Sequence, residues 1–351
     1  MLLTFRYRVK DATTRKRLAA MARAVNLVWN YCGGIQNDSR RHGKRWPSFP
    51  ELAKLTAGSS KELGLHSDTV QDVLKHWVKA RDKARRRPRW RASGGAKRAL
   101  GWVPFQCARP LKVDGDTVTY LGHRFRLWLS RLIPADIRSG SFSEDATGRW
   151  YLNLVCEVAE EHPTGTGEVG IDLGLKDLAA LSTGEKIGNP RHLSKSAKAL
   201  ARAQRAGRKA LARKIHRKIA AQRRHFLHVE STRIVRANAL ICVGDVNSAA
   251  LARTKMAKSV LDAGWTAFRS MLEYKAMRHR AVFVEANERH STQVCSACGA
   301  RGGPKGTKGL RVRSWVCDGC GSWHDRDTNA ALNILRSGRN IARQQTEIPV
   351  L

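Results

Sequence analysis

Four cysteines near the C-terminus have the spacing of a metal site. Cys295 and Cys298 form one CxxC pair, Cys317 and Cys320 form a second, and a loop joins the two pairs. Each CxxC turn directs two sulfurs to one point, so the two turns together predict a tetrahedral zinc site. Four thiolates leave no open coordination position, which indicates a structural ion. His324, close to the second pair, is a possible substitute ligand.

Two aspartates have the sequence context of ligands for hard cations. Asp172 lies in the apolar segment 169–174, a predicted strand in which an uncompensated carboxylate would be costly. Asp327 follows the cysteine block at the start of a predicted helix, with Asn329 beside it. An aspartate that opens a helix is often only its cap, and Asp325 is the rival carboxylate. Carboxylates that converge from distant elements suit Mg²⁺ or Mn²⁺.

The elements around these acids predict an α/β fold in the order of an RNase H-like nuclease. Such enzymes hydrolyse phosphodiesters with two divalent ions about 4 Å apart. The segment 168–186 predicts a strand hairpin with Asp177 in its turn, and Leu240–Val243 and Ala281–Val284 predict two buried strands. One amphipathic helix is expected over 256–279, with Leu261, Trp265, Phe268 and Leu272 facing inward.

The charge of the chain predicts a polyanionic partner. Lys and Arg number 65 against 29 Asp and Glu, a formal net charge of +36. Basic residues without an intervening acid run from Lys195 to Arg224, within one or two long helices predicted over 192–237. Repulsion among them disfavours an ordinary solvated face unless phosphate neutralises it.

A membrane or secreted protein is not expected. No apolar run approaches the roughly 20 residues of a spanning helix, and charge interrupts the N-terminus too early for a secretory signal. The remaining cysteines lie in apolar contexts and are expected to be buried free thiols, which fits a reducing cytoplasm. They are Cys32, Cys107, Cys156 and Cys242.

The N-terminal half alternates between the two secondary-structure periods. Residues 1–9 predict a strand, and short alternating runs over 98–160 predict an antiparallel sheet or small barrel that this strand joins. Helical periodicity marks 11–37, with an end expected at Gly33-Gly34, and 67–87. The helices over 11–97 therefore form an insertion into the sheet.

Four motifs together resemble TnpB, the transposon-encoded RNA-guided nuclease from which type V CRISPR effectors descend. They are Gly170–Gly174, Val243–Asn247, Ser291–Gly299 and Asp325–Ala331. Pro88–Arg91 is similar to the basic-aromatic segment that closes the family's helical recognition insertion, so the resemblance covers nearly the whole chain. It implies a RuvC-like nuclease, a guide RNA derived from the transposon end, and target duplex DNA read at a short adjacent motif.

The resemblance also implies a domain organisation. We expect a wedge β-barrel at 1–10 and 98–162, a helical recognition insertion at 11–97, a RuvC-like nuclease at 168–289 and 326–351, and an inserted zinc ribbon at 290–325.

The chain departs from the family pattern at one position. The family usually has Glu before the Asp-hydrophobic-Asn of its second motif, and Gly244 stands there. Asp245 is a poor replacement, because adjacent strand residues point to opposite faces. Fanzor-like relatives carry a relocated Glu shortly before the zinc ribbon, which favours Glu288 as the third ligand beside Asp172 and Asp327. Glu285 is the runner-up.

Exposed basic and aromatic residues are the candidates for nucleic-acid contacts. Those on the long basic helices are expected to meet guide RNA or the guide–target duplex through its backbone. Those near 75–90 are expected at the same duplex or at the adjacent motif, with Trp90 as a stacking residue. The set is Lys75, Lys79, Arg81, Arg85, Arg86, Arg89, Trp90, Arg202, Arg205, Lys209, Arg213 and Arg217.

Together these features favour a monomeric, metal-dependent, RNA-guided DNA endonuclease. If nothing replaces the missing glutamate, the chain is instead an RNA-guided DNA-binding repressor without cleavage. A compact type V CRISPR effector and a DNA-binding transposase that needs no RNA are further alternatives.

Overall fold

The computed structural model describes residues 1–10, 12–107, 110–160, 165–246, 257–305, 309 and 311–347. The chain forms two compact units, Met1–Val158 and Ala159–Leu351. No helix within the described residues is long and apolar enough to cross a membrane. The fold is mixed α/β, as expected.

A seven-stranded antiparallel sheet forms the first unit. Its strand order is β2-β6-β7-β1-β5-β4-β3, so the N-terminal strand joins the sheet at its centre, as predicted. Of the two expectations, an antiparallel sheet or a small barrel, the described pairings show the sheet, with β2 and β3 as open edges. The strands are β1 (Leu2–Val9), β2 (Trp102–Phe105), β3 (Leu111–Asp114), β4 (Thr117–Tyr120), β5 (His123–Trp128), β6 (Ile137–Glu144) and β7 (Trp150–Glu157).

The helices between β1 and β2 pack on the buried face of this sheet. They are α1 (Ala12–Arg41), α2 (Phe49–Leu55), α3 (Ser59–Glu62) and α4 (Ser67–Ala84). The predicted end of α1 at Gly33-Gly34 is wrong, because the helix continues to Arg41. Glycine within a helix costs about 1 kcal/mol relative to alanine, and the burial of Val28 and Cys32 just before the two glycines helps to offset that cost.

A five-stranded mixed sheet organises the second unit. Its order is β10-β9-β8-β11-β12, with β8, β11 and β12 parallel and the β8–β9 hairpin antiparallel, as predicted. A separate hairpin, β13–β14, lies in the cysteine block. The strands are β8 (Gly167–Leu173), β9 (Asp177–Leu181), β10 (Lys186–Gly188), β11 (Asn238–Gly244), β12 (Val282–Ala286), β13 (Ser314–Val316) and β14 (Trp323–Asp325).

Five described helices complete this unit. They are α5 (His192–Arg205), α6 (Lys209–Ala237), α7 (Ala257–Ala263), α8 (Trp265–Arg278) and α9 (Arg326–Glu347). The single helix predicted over 256–279 is broken at Gly264, whose φ of 73° is left-handed and ends α7. Leu261 is 63% exposed and does not face inward, while Trp265, Phe268 and Leu272 are buried as predicted.

Glycines let helix α9 approach the sheet closely. A Cβ on Gly170 of β8 would collide with the carbonyl oxygen of Ala331, and one on Gly338 would collide with Sγ of Cys242 on β11. Close packing of this kind sets the height of α9 above β8. The start of α9, and with it Asp327, therefore has a defined position relative to the sheet.

Three of the four free thiols outside the cysteine block are buried as expected. Cys32, Cys156 and Cys242 are shielded from solvent. Cys107 is only partly buried and donates to Oδ2 of Asp68 at 2.8 Å, so the expectation was wrong for this residue.

Candidate active site

The three acids predicted as ligands line one cavity of about 570 Å³ in the second unit. Asp172 lies one residue before the end of β8, between the buried side chains of Ile171 and Leu173. Glu288 follows the end of β12 by two residues, and Asp327 lies in the first turn of α9. Segments more than a hundred residues apart in sequence are thus brought to the same cavity.

Glu288 fills the space beside the glycine that departs from the family pattern. Gly244 ends β11 and is paired with Ala286. A Cβ built on Gly244 would lie 2.7 Å from Oε2 of Glu288 and 3.4 Å from its Cβ. The carboxylate of Glu288 therefore occupies the place into which a side chain at position 244 would project.

Asp245 holds the backbone of Glu288. The amide of Asp245 donates to the carbonyl of Ala286 at 3.0 Å, and its Oδ1 accepts from the amide of Glu288 at 3.1 Å. The side chain of Asp245 is exposed and does not line the cavity. Asp245 is consequently a positioning residue for Glu288.

Glu285, the runner-up, lies elsewhere. It is paired in register with Val243, and its Oε1 is 3.5 Å from Nη1 of Arg269. It does not line the acidic cavity. The geometry therefore favours Glu288 over Glu285.

Asp327 is held by two guanidinium groups. Its Oδ1 accepts from Nε and Nη2 of Arg326 at 2.9 and 2.7 Å, and its Oδ2 is 3.3 Å from Nη1 of Arg313. The helix-capping role belongs to Asp325, whose Oδ1 accepts from the amide of Thr328 at 3.0 Å. Asp327 is thus not the cap, and its carboxylate faces the cavity among cations.

Burial and the repulsion of nearby carboxylates raise the pKa of two of the site acids, Asp172 and Glu288. Desolvation, then the negative charges of Asp327 and Glu288, raise the pKa of Asp172 to about 8. Desolvation and the charge of Asp245 also raise the pKa of Glu288. Carboxylates confined in this way are stabilised by cations, and their oxygen donors suit Mg²⁺ or Mn²⁺.

Sequence reasoning missed four other residues of the cavity wall. Asp177, expected only in a turn, lines the cavity at the start of β9, together with Lys176, Arg313 and Arg326. The alternation of acid and arginine in Asp325-Arg326-Asp327 was the available signal for Arg326. No local pattern distinguishes Arg313 from the other basic residues around it.

The predicted cysteine site is formed. The Sγ atoms of Cys295, Cys298, Cys317 and Cys320 all lie within 4.8 Å of one another, which suits a zinc ion. Nε2 of His324 is 3.0 Å from Sγ of Cys295. His324 is thus within hydrogen-bond distance of Cys295 and lies outside the four-sulfur cluster.

Asn329 links this cluster to helix α9 and is not directed at the acids. Its buried side chain donates to the carbonyls of Ser291 and Val294 at 3.2 and 2.8 Å and accepts from the amide of Ser296 at 2.8 Å. Asn333, one turn later, donates to the same two carbonyls at 2.9 and 2.7 Å. The first CxxC turn is thereby attached to the helix that carries Asp327.

Most of the predicted nucleic-acid residues are on the surface. Arg217 is half-buried. The exposed members are Lys75, Lys79, Arg85, Arg86, Arg89, Trp90, Arg202, Arg205, Lys209 and Arg213. Trp90 is 63% exposed, while the carbonyl of Arg89 accepts from Nε1 of Trp29 at 3.0 Å. The backbone of Arg89 is thus anchored to α1, and the indole of Trp90, the next residue, projects into solvent.

Arg81 was assigned to this set wrongly. Only 6% of it is exposed, its guanidinium donates to the carbonyl of Pro47 and to Asp82, and it lies over the rings of Trp46 and Trp77. A guanidinium enclosed in this way cannot reach a phosphate. The helical periodicity of α4 turns Arg81 inward, on the same face as Trp77.

Two family models match the chain. Residues 153–255 match the family described as "Probable transposase" (OrfB_IS605), and residues 265–334 match "Cas12f1-like, TNB domain". The second match covers Glu288, the four cysteines and Asp327. Among solved structures, one named "Cryo-EM structure of the Cas12f1-sgRNA-target DNA complex" is similar over 95% of this chain and 99% of that one, at 13% identity and a TM-score of 0.38.

Two of three curated relatives span most of the chain, and the third matches a smaller part. A "Putative RNA-guided DNA endonuclease" of Streptomyces pristinaespiralis is 37% identical in an alignment 314 residues long that covers 84% of this chain and 75% of that protein. The Escherichia coli K12 protein "Putative RNA-guided DNA endonuclease InsQ" is 23% identical over 97% of this chain and 93% of its own length. "TnpB-like protein L79" of Acanthamoeba polyphaga mimivirus is 26% identical over 36% of this chain and 25% of its own. The chain therefore belongs to the TnpB family.

Proposed function

We propose that this chain is an RNA-guided DNA endonuclease that hydrolyses phosphodiesters of target DNA with two divalent ions, Mg²⁺ or Mn²⁺. The observation that carries the proposal is the convergence of Asp172, Glu288 and Asp327 on one cavity. Glu288 supplies the carboxylate that Gly244 lacks, from the neighbouring position that Gly244 leaves open. A chain that had only lost its glutamate would have no acid in that space.

The acidic and basic side chains of the cavity have different proposed roles. The three carboxylates would hold the cations and, together with Asp177, make the cavity wall acidic. Two such ions, when bound, supply an activated water and stabilise the leaving oxygen. Lys176, Arg313 and Arg326 line the same wall and provide positive charge for the phosphate oxygens.

The topology of the second unit supports a RuvC-like, RNase H-like nuclease at 168–289 and 326–351. The central strand β8 carries the first acid, its parallel neighbour β11 pairs with β12, which leads to the second, and α9 carries the third. The cysteine block at 290–325 then corresponds to the inserted zinc ribbon. In the first unit, the sheet of 1–10 and 98–162 corresponds to the wedge and the helices of 11–97 to the recognition insertion.

The partners we propose are a guide RNA from the transposon end and double-stranded target DNA, bound by one copy of the chain in the cytoplasm. Support comes from the net charge of +36 and the exposed cations of α5 and α6. The relatives named as RNA-guided endonucleases support the same assignment.

A polar cavity in the first unit is our candidate for reading the adjacent motif. It has a volume of about 510 Å³ and is lined by Lys75 with Asp72, His76, Gln106 and Asn153. Amide, carboxylate and ammonium groups distinguish base edges by their donor and acceptor patterns. Substitution of Gln106 by Ala should change the preferred motif, measured by cleavage of a randomised library.

The test is cleavage of a plasmid by the purified complex in magnesium. We expect RNA to co-purify and wild type to cut, with Asp172→Ala and Glu288→Ala slower by at least about a hundredfold. Glu285→Ala is the matched control and should cut like wild type. Equal cutting by Glu288→Ala would reject the site assignment.

Two other outcomes would favour other functions. A complex that contains RNA and binds its target but does not cut would support the repressor alternative. Sequence-specific DNA binding by protein free of RNA would support the transposase alternative.

A further inference from the structure

A second cavity adjoins the acidic one in the second unit. It has a volume of about 590 Å³ and shares Leu175 and Lys176 with the wall of the acidic cavity. Arg191 and Lys258 lie on its other sides. The loop between β8 and β9 therefore separates an acidic cavity from a basic one.

Local hydrogen bonds hold the basic wall in place. Nδ2 of Asn189 donates to the carbonyl of Leu175 at 3.1 Å, and its Oδ1 accepts from the amide of Arg191 at 3.1 Å. Arg191 has a φ of 50°, a left-handed conformation that is unusual for a residue with a side chain. These contacts tie the segment before α5 to the loop that both cavities share.

The positive charge of this cavity is uncompensated within the described chain. Asp262 is the only acid in its described lining, and both of its oxygens already accept, from the amide of Leu193 at 3.0 Å and from Arg223 at 2.8 Å. Lys176, Arg191 and Lys258 are exposed, and none forms an ion pair with another described residue. Three cations thus face a cavity whose one carboxylate is neutralised.

We propose that this cavity binds a phosphate of the strand being cut, next to the scissile phosphate. This inference rests on the nuclease function proposed above. Metal ions would have to bring phosphate to the acidic cavity, whereas the adjoining cavity has its own cations and binds phosphate directly. None of the described residues that line it is aromatic, so the contact is with the backbone and is independent of base identity.

The experiment replaces single phosphates near the cut by uncharged methylphosphonates and measures single-turnover cleavage. With wild type, we expect one position beside the cut at which the substitution slows cleavage roughly tenfold. The double variant Arg191→Ala/Lys258→Ala should be slowed by a similar factor on unmodified DNA and should be insensitive to the substitution at that position. Lys112→Ala, which removes an exposed charge of β3 in the first unit, is the control and should retain wild-type sensitivity.

A binding measurement separates this proposal from the nuclease function. In an Asp172→Ala background, the double variant should bind a short single-stranded oligonucleotide roughly tenfold more weakly than the Lys112→Ala control. Its affinity should no longer depend on the methylphosphonate. If wild type does not cut but this binding difference is present, the phosphate site stands and the nuclease function fails. If wild type cuts and the double variant keeps the full methylphosphonate effect, the phosphate site is overturned and the nuclease function stands.

Discussion

Oε2 of Glu288 lies 2.7 Å from the point at which a side chain on Gly244 would begin. A carboxylate at this place in the cavity can therefore come from a residue at position 244 or from Glu288, but not from both. A side chain at position 244 would displace the carboxylate of Glu288. The absence of a side chain at position 244 is what allows the carboxylate of Glu288 to reach the cavity. Gly244 is therefore part of the site, although it has no ligand atom.

Gly244→Ala should lower cleavage much more than it lowers stability. The new Cβ meets the flexible end of Glu288, which can move at little cost in folding free energy but then leaves the cavity. We expect cleavage to fall at least about tenfold, while the thermal midpoint changes by only about 4 °C or less. Cleavage rates and thermal denaturation of the same preparation measure both effects, and undiminished cleavage would contradict the exclusion.

A glutamate introduced at position 244 should support cleavage only when the side chain of Glu288 has been removed. The double variant Gly244→Glu/Glu288→Ala should cut faster than Glu288→Ala alone, because the cavity regains a third acid. Gly244→Glu by itself should cut more slowly than wild type, since the two side chains compete for one space. A double variant no faster than Glu288→Ala would show that strand position 244 cannot present a ligand here.

The raised pKa of Asp172 predicts that the folding stability of the protein depends on pH. The relevant sample is protein from which magnesium has been removed while zinc is retained. The folded carboxyl has a pKa of about 8, above its ordinary 3.8, so between these values the folded state holds a proton that the unfolded state releases. Stability from this group is therefore lost as pH rises through that window. Asp172→Asn should have a higher thermal midpoint than wild type at pH 8, and the difference should shrink towards pH 5.

Magnesium should reverse this difference. At pH 8 the ion should raise the thermal midpoint of wild type, whose ionised carboxylate binds it, more than that of Asp172→Asn. A midpoint difference that does not depend on pH would contradict the assigned titration.

Arg313 should compete with metal for Asp327. Its Nη1 is 3.3 Å from Oδ2 of Asp327 on a half-exposed side chain, so the pair is worth little and can be broken. Arg313→Ala should bind Mn²⁺ roughly twofold to fivefold more tightly, measured by electron paramagnetic resonance. Arg311→Ala, an exposed neighbour, is the control and should leave Mn²⁺ affinity unchanged.

The four-sulfur cluster predicts a specific pattern of zinc retention. Cys320→Ser should lose zinc, measured by mass spectrometry of the purified protein, because three thiolates hold the ion less tightly than four. His324→Gln should retain zinc, because the histidine contacts Cys295 through a hydrogen bond and lies outside the cluster. Loss of zinc from the histidine variant would instead make His324 a ligand.

The sequence alone predicted the residues that could bind metal ions better than it predicted the contacts around them. Asp172 and the cysteine pairs carry short-range signals, a strand context and a fixed spacing, and the structure brings them where those signals predict. Glu288 has no such local signal. Its location depends on the pairing of Gly244 with Ala286, which only the register of β11 and β12 determines.

The errors have the same origin. Arg81 belongs to a run of basic residues, but its position on α4 faces the buried side, which charge counting ignores. Gly33-Gly34 suggested a helix end, but packing overrides local propensity there.

The side-chain amides of Asn329 and Asn333, which donate to the same two carbonyls, make the position of α9 depend on the sulfur cluster. Both side chains attach α9 to the turn that contains Cys295, so whatever disturbs the sulfur cluster also disturbs the helix that presents Asp327. Loss of zinc or oxidation of the thiols would then also move Asp327, the ligand that we propose on this helix. Cleavage by the proposed nuclease would in that way depend on an intact sulfur cluster, although the cluster binds no substrate in the proposed mechanism.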